Sequence, residues 1–184
     1  MQEKNYCPDC ELFQRIKETD AQALKILFER YYTILCRFAC RFVKDMLRAE
    51  EVVSDVFLNV WLKKDTIEIQ ANVKTYLYSA VKNQSLNYLK KNKLRGEELE
   101  IAIQEHPASD FQADRLIENE ELEHDIEALL QKLPEQRQII FRMNRLDGLR
   151  YKEIAEILSI SVHTVQNQMV AAVKFLTEHR LHNK

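Results

Sequence analysis

Five side chains toward the end of the chain combine hydrogen-bonding capacity with neutrality. His163, Thr164, Gln166, Asn167 and Gln168 close the stretch EIAEILSISVHTVQNQ, which begins at Glu153. An ordinary solvated helix carries Lys and Glu on its outer face. This one offers amides, a hydroxyl and an imidazole, groups that suit the edges of base pairs. Gln and Asn can pair with adenine through two hydrogen bonds, and Thr can donate, accept or touch the thymine methyl. Lys152, just upstream, joins the set as a cation. The bland alternative is a polar helix surface that touches only water.

To act on bases, those side chains must be held at the start of a helix. Ile154, Ala155 and Leu158 are spaced as the inner face of a short helix, with Ile160 filling the turn after it. Ser161 is a good N-cap for the next helix, whose inner face is predicted as Val165, Met169, Ala172, Val173 and Leu176. Two helices with so short a joint form a helix-turn-helix. In such a motif the outward residues near the start of the second helix reach base edges in the major groove. Turns of this kind often use Gly where Ser159 stands, and a positive φ at Ser costs about 1 kcal/mol.

The composition favours helices throughout. Of 184 residues, only two are Gly and three Pro, while 46% are hydrophobic. Clustered glycines for a dinucleotide or phosphate-cradling loop are therefore missing. No apolar run nears the ~20 residues needed to cross a bilayer, and the polar N-terminus MQEKNYCPDC lacks the apolar centre of a signal peptide. A cytoplasmic location is expected. Cys7 and Cys10 have a metal-like spacing, but Cys36 and Cys40 match a zinc knuckle poorly. The second pair is read as buried thiols, the first as part of an inert frayed terminus, and no metal is expected. The five His are scattered, with no His–carboxylate cluster and no Ser–His arrangement. An enzyme, a cofactor and a small-molecule substrate are not expected.

Charge divides the chain into three. Residues 96–125 hold eleven acidic residues and one basic, although the whole chain carries only −2. The flanking blocks are mildly basic, with 17 Lys/Arg against 12 Asp/Glu in 1–95 and nine against six in 126–184. Basic blocks suit a polyanion. The predicted fold is all-α, in two small helical domains at 1–95 and 123–184, joined by an acidic flexible linker at 96–122. The first should hold three or four helices and the second four. Leu24 to Phe42 marks one amphipathic helix and Val53 to Trp61 another. A third is expected from about Val73 to Lys93, with Gly96 as its C-terminal cap. Helix resumes near Glu120, and Pro134 is placed in the first turn of a helix that ends at Asp147-Gly148.

Taken together, these motifs resemble the extracytoplasmic-function (ECF) sigma factors, the small class of bacterial RNA polymerase specificity subunits. LFERYYTILCRFACRFVKD looks like the first helix of their N-terminal domain and AEEVVSDVFLNVWLKK like their polymerase-binding helix. VKTYLYSAVKNQSLNYLKK looks like their promoter-melting helix. LLQKLPEQRQIIFRMNRLDGLRYKEIAEILSISVHTVQNQ looks like their C-terminal domain. The departures are Ser54 where Gln is common, Tyr76 where Trp is common, Ala171 where Lys or Arg is common, and Ser159 for Gly.

The resemblance implies roles. Glu51, Ser54, Asp55, Leu58 and Trp61 would dock on core RNA polymerase. Asn83 matches the position that reads a flipped base of the minus-10 element. Asn72, Tyr76, Lys82, Asn87, Lys90 and Lys91 would supply the polar, aromatic and cationic groups that single-stranded promoter DNA needs. Tyr78 and Tyr88 lie on the same helix, where a Tyr is more often half-buried packing. The loop from Thr66 to Asn72 would shape the pocket. His163, Thr164, Gln166, Asn167, Gln168 and Lys152 would read the minus-35 element. An anti-sigma partner, membrane-anchored, is also implied. Two other readings compete: a one-component helix-turn-helix regulator, which leaves 1–95 as a sensor or dimerisation unit, and an all-helical adaptor that binds only protein.

Overall fold

Oxygen-bearing side chains at fixed offsets set most of the helix starts. The computed structural model describes residues 8–69, 72–94 and 128–181. Its first four helices are α1 (Pro8–Lys17), α2 (Ala21–Val43), α3 (Met46–Leu62) and α4 (Val73–Leu94). Asp20 caps α2, its carboxylate accepting from the amides of Gln22 (2.9 Å) and Ala23 (3.2 Å). Asp45 caps α3 by accepting from Arg48 N at 2.8 Å. Asn72 caps α4, where Thr75 N donates to its Oδ1 at 2.7 Å. Each bond satisfies an amide that has no partner inside its own helix.

These helices make up most of one compact unit, and the C-terminal helices, Ala155–Ser159 apart, most of a second. In the first, α2 packs against α1, α3 and α4. Leu27, Leu35, Phe38 and Ala39 of α2 are buried with Val53, Phe57 and Val60 of α3 and Leu77, Tyr78 and Val81 of α4. The Phe38 ring lies 4.8 Å from that of Tyr78, so Tyr78 is a core residue and not a surface for bases. Cys36 is buried as well, and burial pushes its thiol up to about 11. Cys40 is half-buried.

The N-terminus departs from expectation. Residues Pro8–Lys17 are a helix, with Leu12, Phe13 and Ile16 buried, so Cys10 sits on an ordered element and not on a frayed end. Asp9 anchors it by accepting from Arg30 and from the Tyr31 hydroxyl. Cys7 lies outside the described residues, as do the expected linker at 96–122, the Gly96 cap and the helix start near Glu120.

Further along the chain, helical residues 128–131 precede α5 (Glu135–Arg145), α6 (Tyr151–Leu158) and α7 (Val162–Leu181). Pro134 stands just before the first residue of α5, one position earlier than expected. Gly148, at φ +67°, makes the turn after α5, helped by Asn144 Nδ2 donating to Leu149 O at 2.9 Å. Leu130, Leu133 and Ala172 close one core against Phe141, Phe175 and Leu176. Ile157, missed in the helical pattern, is fully buried beside Ile154 in α6. Val173, expected inside, is instead 42% exposed. The inner row of α7 runs Val165, Met169, Ala172, and Val173 falls one step past it. Among the described residues there is no strand, and no helix is long and apolar enough to cross a membrane.

Candidate nucleic-acid interface

The helix-turn-helix is built as its sequence predicts, down to its strained joint. Ser159 adopts φ 58°, the left-handed conformation in which glycine is at ease. Two residues on, Ser161 Oγ accepts from Thr164 N at 2.9 Å and lies 2.8 Å from Thr164 Oγ1. The start of α6 is closed by Glu153, whose carboxylate accepts from Arg150 N at 2.7 Å. Side-chain oxygens thus cap the start of α6 and the start of α7.

On α7 the predicted base-reading set divides. His163, Gln166 and Asn167 are exposed and fall at steps of three and four, so they share the outer face. Val170, 69% exposed, extends the same row one turn further and was not anticipated. Thr164 and Gln168 are half-buried on the flank and already hydrogen-bonded: Thr164 to Ser161, and Gln168 through Oε1 to Arg137 Nε of α5 at 3.0 Å. Lys152 is exposed on α6. The outer face is therefore narrower than the sequence suggested, and apolar at its far end.

On α4, Asn83, Asn87, Lys90 and Lys91 are exposed, and Tyr76 is half-buried. From Tyr76 they lie seven, eleven, fourteen and fifteen positions on, spacings that return to one side of a helix. This brings one aromatic, two amides and two ammonium groups onto a single stripe. Burial raises the Tyr76 phenol above its ordinary value. Lys82 is half-buried on the flank of that stripe. Asn72 lies just before α4, where its amide oxygen caps the helix.

On α3, Glu51, Ser54, Asp55 and Leu58 are exposed on one face, with Trp61 half-buried at its edge beneath the Lys64 ammonium, 4.7 Å from the ring centroid. Two residues that the sequence reading missed enlarge this face. Leu47 is 72% exposed and Leu62 67%, alongside Leu58 at 55%. Positions 47, 51, 54, 55, 58 and 62 fall on one side of the helix, so three bare leucines and two acids share one stripe. The opposite face, with Ala49, Val52, Val53, Val56, Phe57 and Val60, fills the core. Arg48 lies 5.8 Å from the Tyr88 ring, so Tyr88 packs between α3 and α4. Among the described residues no three His, Cys, Asp or Glu stand where they could hold a metal ion.

Comparison with known proteins agrees with this layout. Residues 27–95 match the family model described as Sigma-70 region 2, and residues 123–176 match that described as Sigma-70, region 4. The RNA polymerase sigma-H factor of Pseudomonas aeruginosa is 24% identical over 172 residues, covering 89% of each chain. The ECF RNA polymerase sigma-E factor of Escherichia coli K12 is 26% identical over 174 residues, covering 89% of this chain and 90% of its own. Among solved structures, CnrH in complex with the cytosolic domain of CnrY superposes with a TM-score of 0.63 at 18% identity, covering 96% of this chain and 99% of that one. The sigma factor RpoE with the anti-sigma factor NepR, from Bartonella quintana, gives 0.60 at 22% identity, covering 84% and 94%.

Proposed function

We propose a division of work between the two helical units of a chain that belongs to the sigma-70 family as an extracytoplasmic-function sigma factor. The chain binds core RNA polymerase and directs promoter-specific initiation of transcription. Regions 2 and 4, matched in that order, disfavour both the one-component regulator and the protein-binding adaptor. The protein works in the cytoplasm, beside core polymerase, as a specificity subunit with no catalysis of its own.

The stripe of α3 docks on the polymerase. The observation that carries this assignment is the row Leu47, Leu58 and Leu62, bare among Glu51, Ser54 and Asp55. An exposed apolar stripe edged with charge marks a protein-binding surface. The α4 stripe takes the melted minus-10 strand. Tyr76 offers a ring for stacking, Asn83 and Asn87 read a splayed base, and Lys90 and Lys91 follow the phosphates. The outer row of α7 reads the minus-35 duplex through His163, Gln166 and Asn167, with Lys152 on the backbone. An anti-sigma factor, like the one bound to the Bartonella protein, covers the α3 stripe when the chain is idle.

Co-purification tests this reading. A tagged chain should retain core polymerase and support promoter-dependent transcription, and alone it should bind little duplex DNA. Tight, specific duplex binding by the free chain would restore the one-component regulator.

A further inference from the structure

Val170 is 69% exposed, an apolar side chain in a row of hydrogen-bonding ones. A lone valine on a solvated surface is ordinary, but the place of this one is not. At about 100° per residue, Gln166 and Asn167 stand about 60° and 40° to either side of His163, and Val170 falls about 20° from it, between the two. It lies in the middle of the outer face, about 5 Å further along the axis, between one and two base-pair rises. Lys174, also exposed, returns to the same face one turn later. From Val162 to Val173 the helix carries no Lys, Arg, Asp or Glu, so this stretch presents neutral groups alone.

We infer that Val170 is a further specificity-determining residue, which reads the C5-methyl group of a thymine in the upstream element. The inference rests on the reading of α7 as the duplex-binding helix, and it adds to the polar contacts one that no hydrogen bond makes. Base edges in the major groove present donors, acceptors and a single apolar group, the thymine methyl. The isopropyl group of valine can neither donate nor accept. Set against N7, O6 or an exocyclic amino group, it would take water from a polar atom and return no partner, which disfavours that base pair. Set against a thymine methyl, it removes apolar surface from water on both sides. Discrimination therefore has a repulsive as well as an attractive part. Valine on a helix is also held to one dominant rotamer, so the contact orders little that was free before.

The test is transcription by reconstituted polymerase from promoters randomised in the upstream element. The wild-type chain should prefer thymine at one base pair, adjacent to or one beyond those set by Gln166 and Asn167. Replacing that thymine with uracil removes only the methyl and should lower initiation about fourfold, the scale of burying one such group. At the same position 5-methylcytosine should outperform cytosine by a similar factor. Val170→Ser, a change on an exposed side chain that leaves the core untouched, should read thymine and uracil alike, and Val170→Ile should keep the difference. The inference is overturned if the wild-type chain initiates equally from thymine and uracil at every upstream position, since Val170 is then plain surface. It is overturned equally if Val170→Ser keeps the thymine-to-uracil ratio, since another group then reads the methyl. Gln166→Ala and Asn167→Ala separate the two levels. If they change upstream preference and Val170→Ser does not, only the role of Val170 fails; if none does, the reading of α7 fails with it.

Discussion

Gln84 Nε2 of α4 donates to Asp55 Oδ2 of α3 at 3.3 Å. The bond joins the stripe assigned to polymerase with the helix assigned to the melted strand, one residue from Asn83. The two helices also pack against each other, so both stripes belong to one packing of four helices.

Reversing charge and removing bulk on that stripe should separate binding from folding. Asp55 and Leu58 are exposed, so Asp55→Arg with Leu58→Ala should change stability by no more than about 0.5 kcal/mol, as usual for surface substitutions. Affinity for core polymerase should fall about tenfold or more, the scale set when anchor residues of an interface are truncated. Leu47→Ala and Leu62→Ala should weaken binding in the same direction. Thermal melts and pull-down titrations read the two effects independently.

The two serines of the helix-turn-helix joint should respond in opposite directions. Ser161→Ala removes the cap at Thr164 N and should cost about 1 kcal/mol of stability, leaving promoter preference unchanged. Ser159→Gly relieves a side chain held at φ 58° and should gain about 1 kcal/mol. Urea unfolding of both variants decides the matter.

Asp20 should make the N-terminal unit acid-sensitive. Its hydrogen bond from the Arg15 guanidinium, and then that from Ala23 N, hold the carboxyl below its ordinary value of 3.8. A carboxyl depressed in the folded state contributes stability above its unfolded value, and that contribution is lost as pH falls through the folded value. Asp20→Asn should therefore be less stable than wild type at neutral pH, and the gap should close below pH 3.8. Melts across the acid range measure the gap directly.

What the sequence could carry was periodic or local. The core faces of α2 and α3 were legible because apolar residues recur at helical steps, and Ser161 was legible because a cap acts over three residues. Three other features were not. The helix Pro8–Lys17 is ten residues long and owes its order to tertiary anchors, Asp9 with Arg30 and Tyr31 more than twenty residues away. The leucines at 47 and 62 were not singled out, because hydrophobicity says nothing of which face a neighbour covers. Asn72 and Gln168 have the types expected of DNA readers, yet each is engaged inside the protein. The bond from Thr75 N to Asn72 is a local cap that could have been foreseen; the bond from Arg137 to Gln168 spans 31 residues and leaves no local trace.

The most direct test of the account is transcription by reconstituted polymerase from a library randomised at both promoter elements. If the outer row of α7 reads the upstream duplex, Gln166→Ala or Asn167→Ala should each cost about 1–3 kcal/mol of discrimination at one or two upstream base pairs. Asn83→Ala should change preference only in the downstream, melted element. Because the two sets stand on separate units, their effects on a fixed promoter should add. A Gln166/Asn167 double variant with unaltered upstream preference would contradict the account, and so would an Asn83→Ala variant that shifts the upstream element instead.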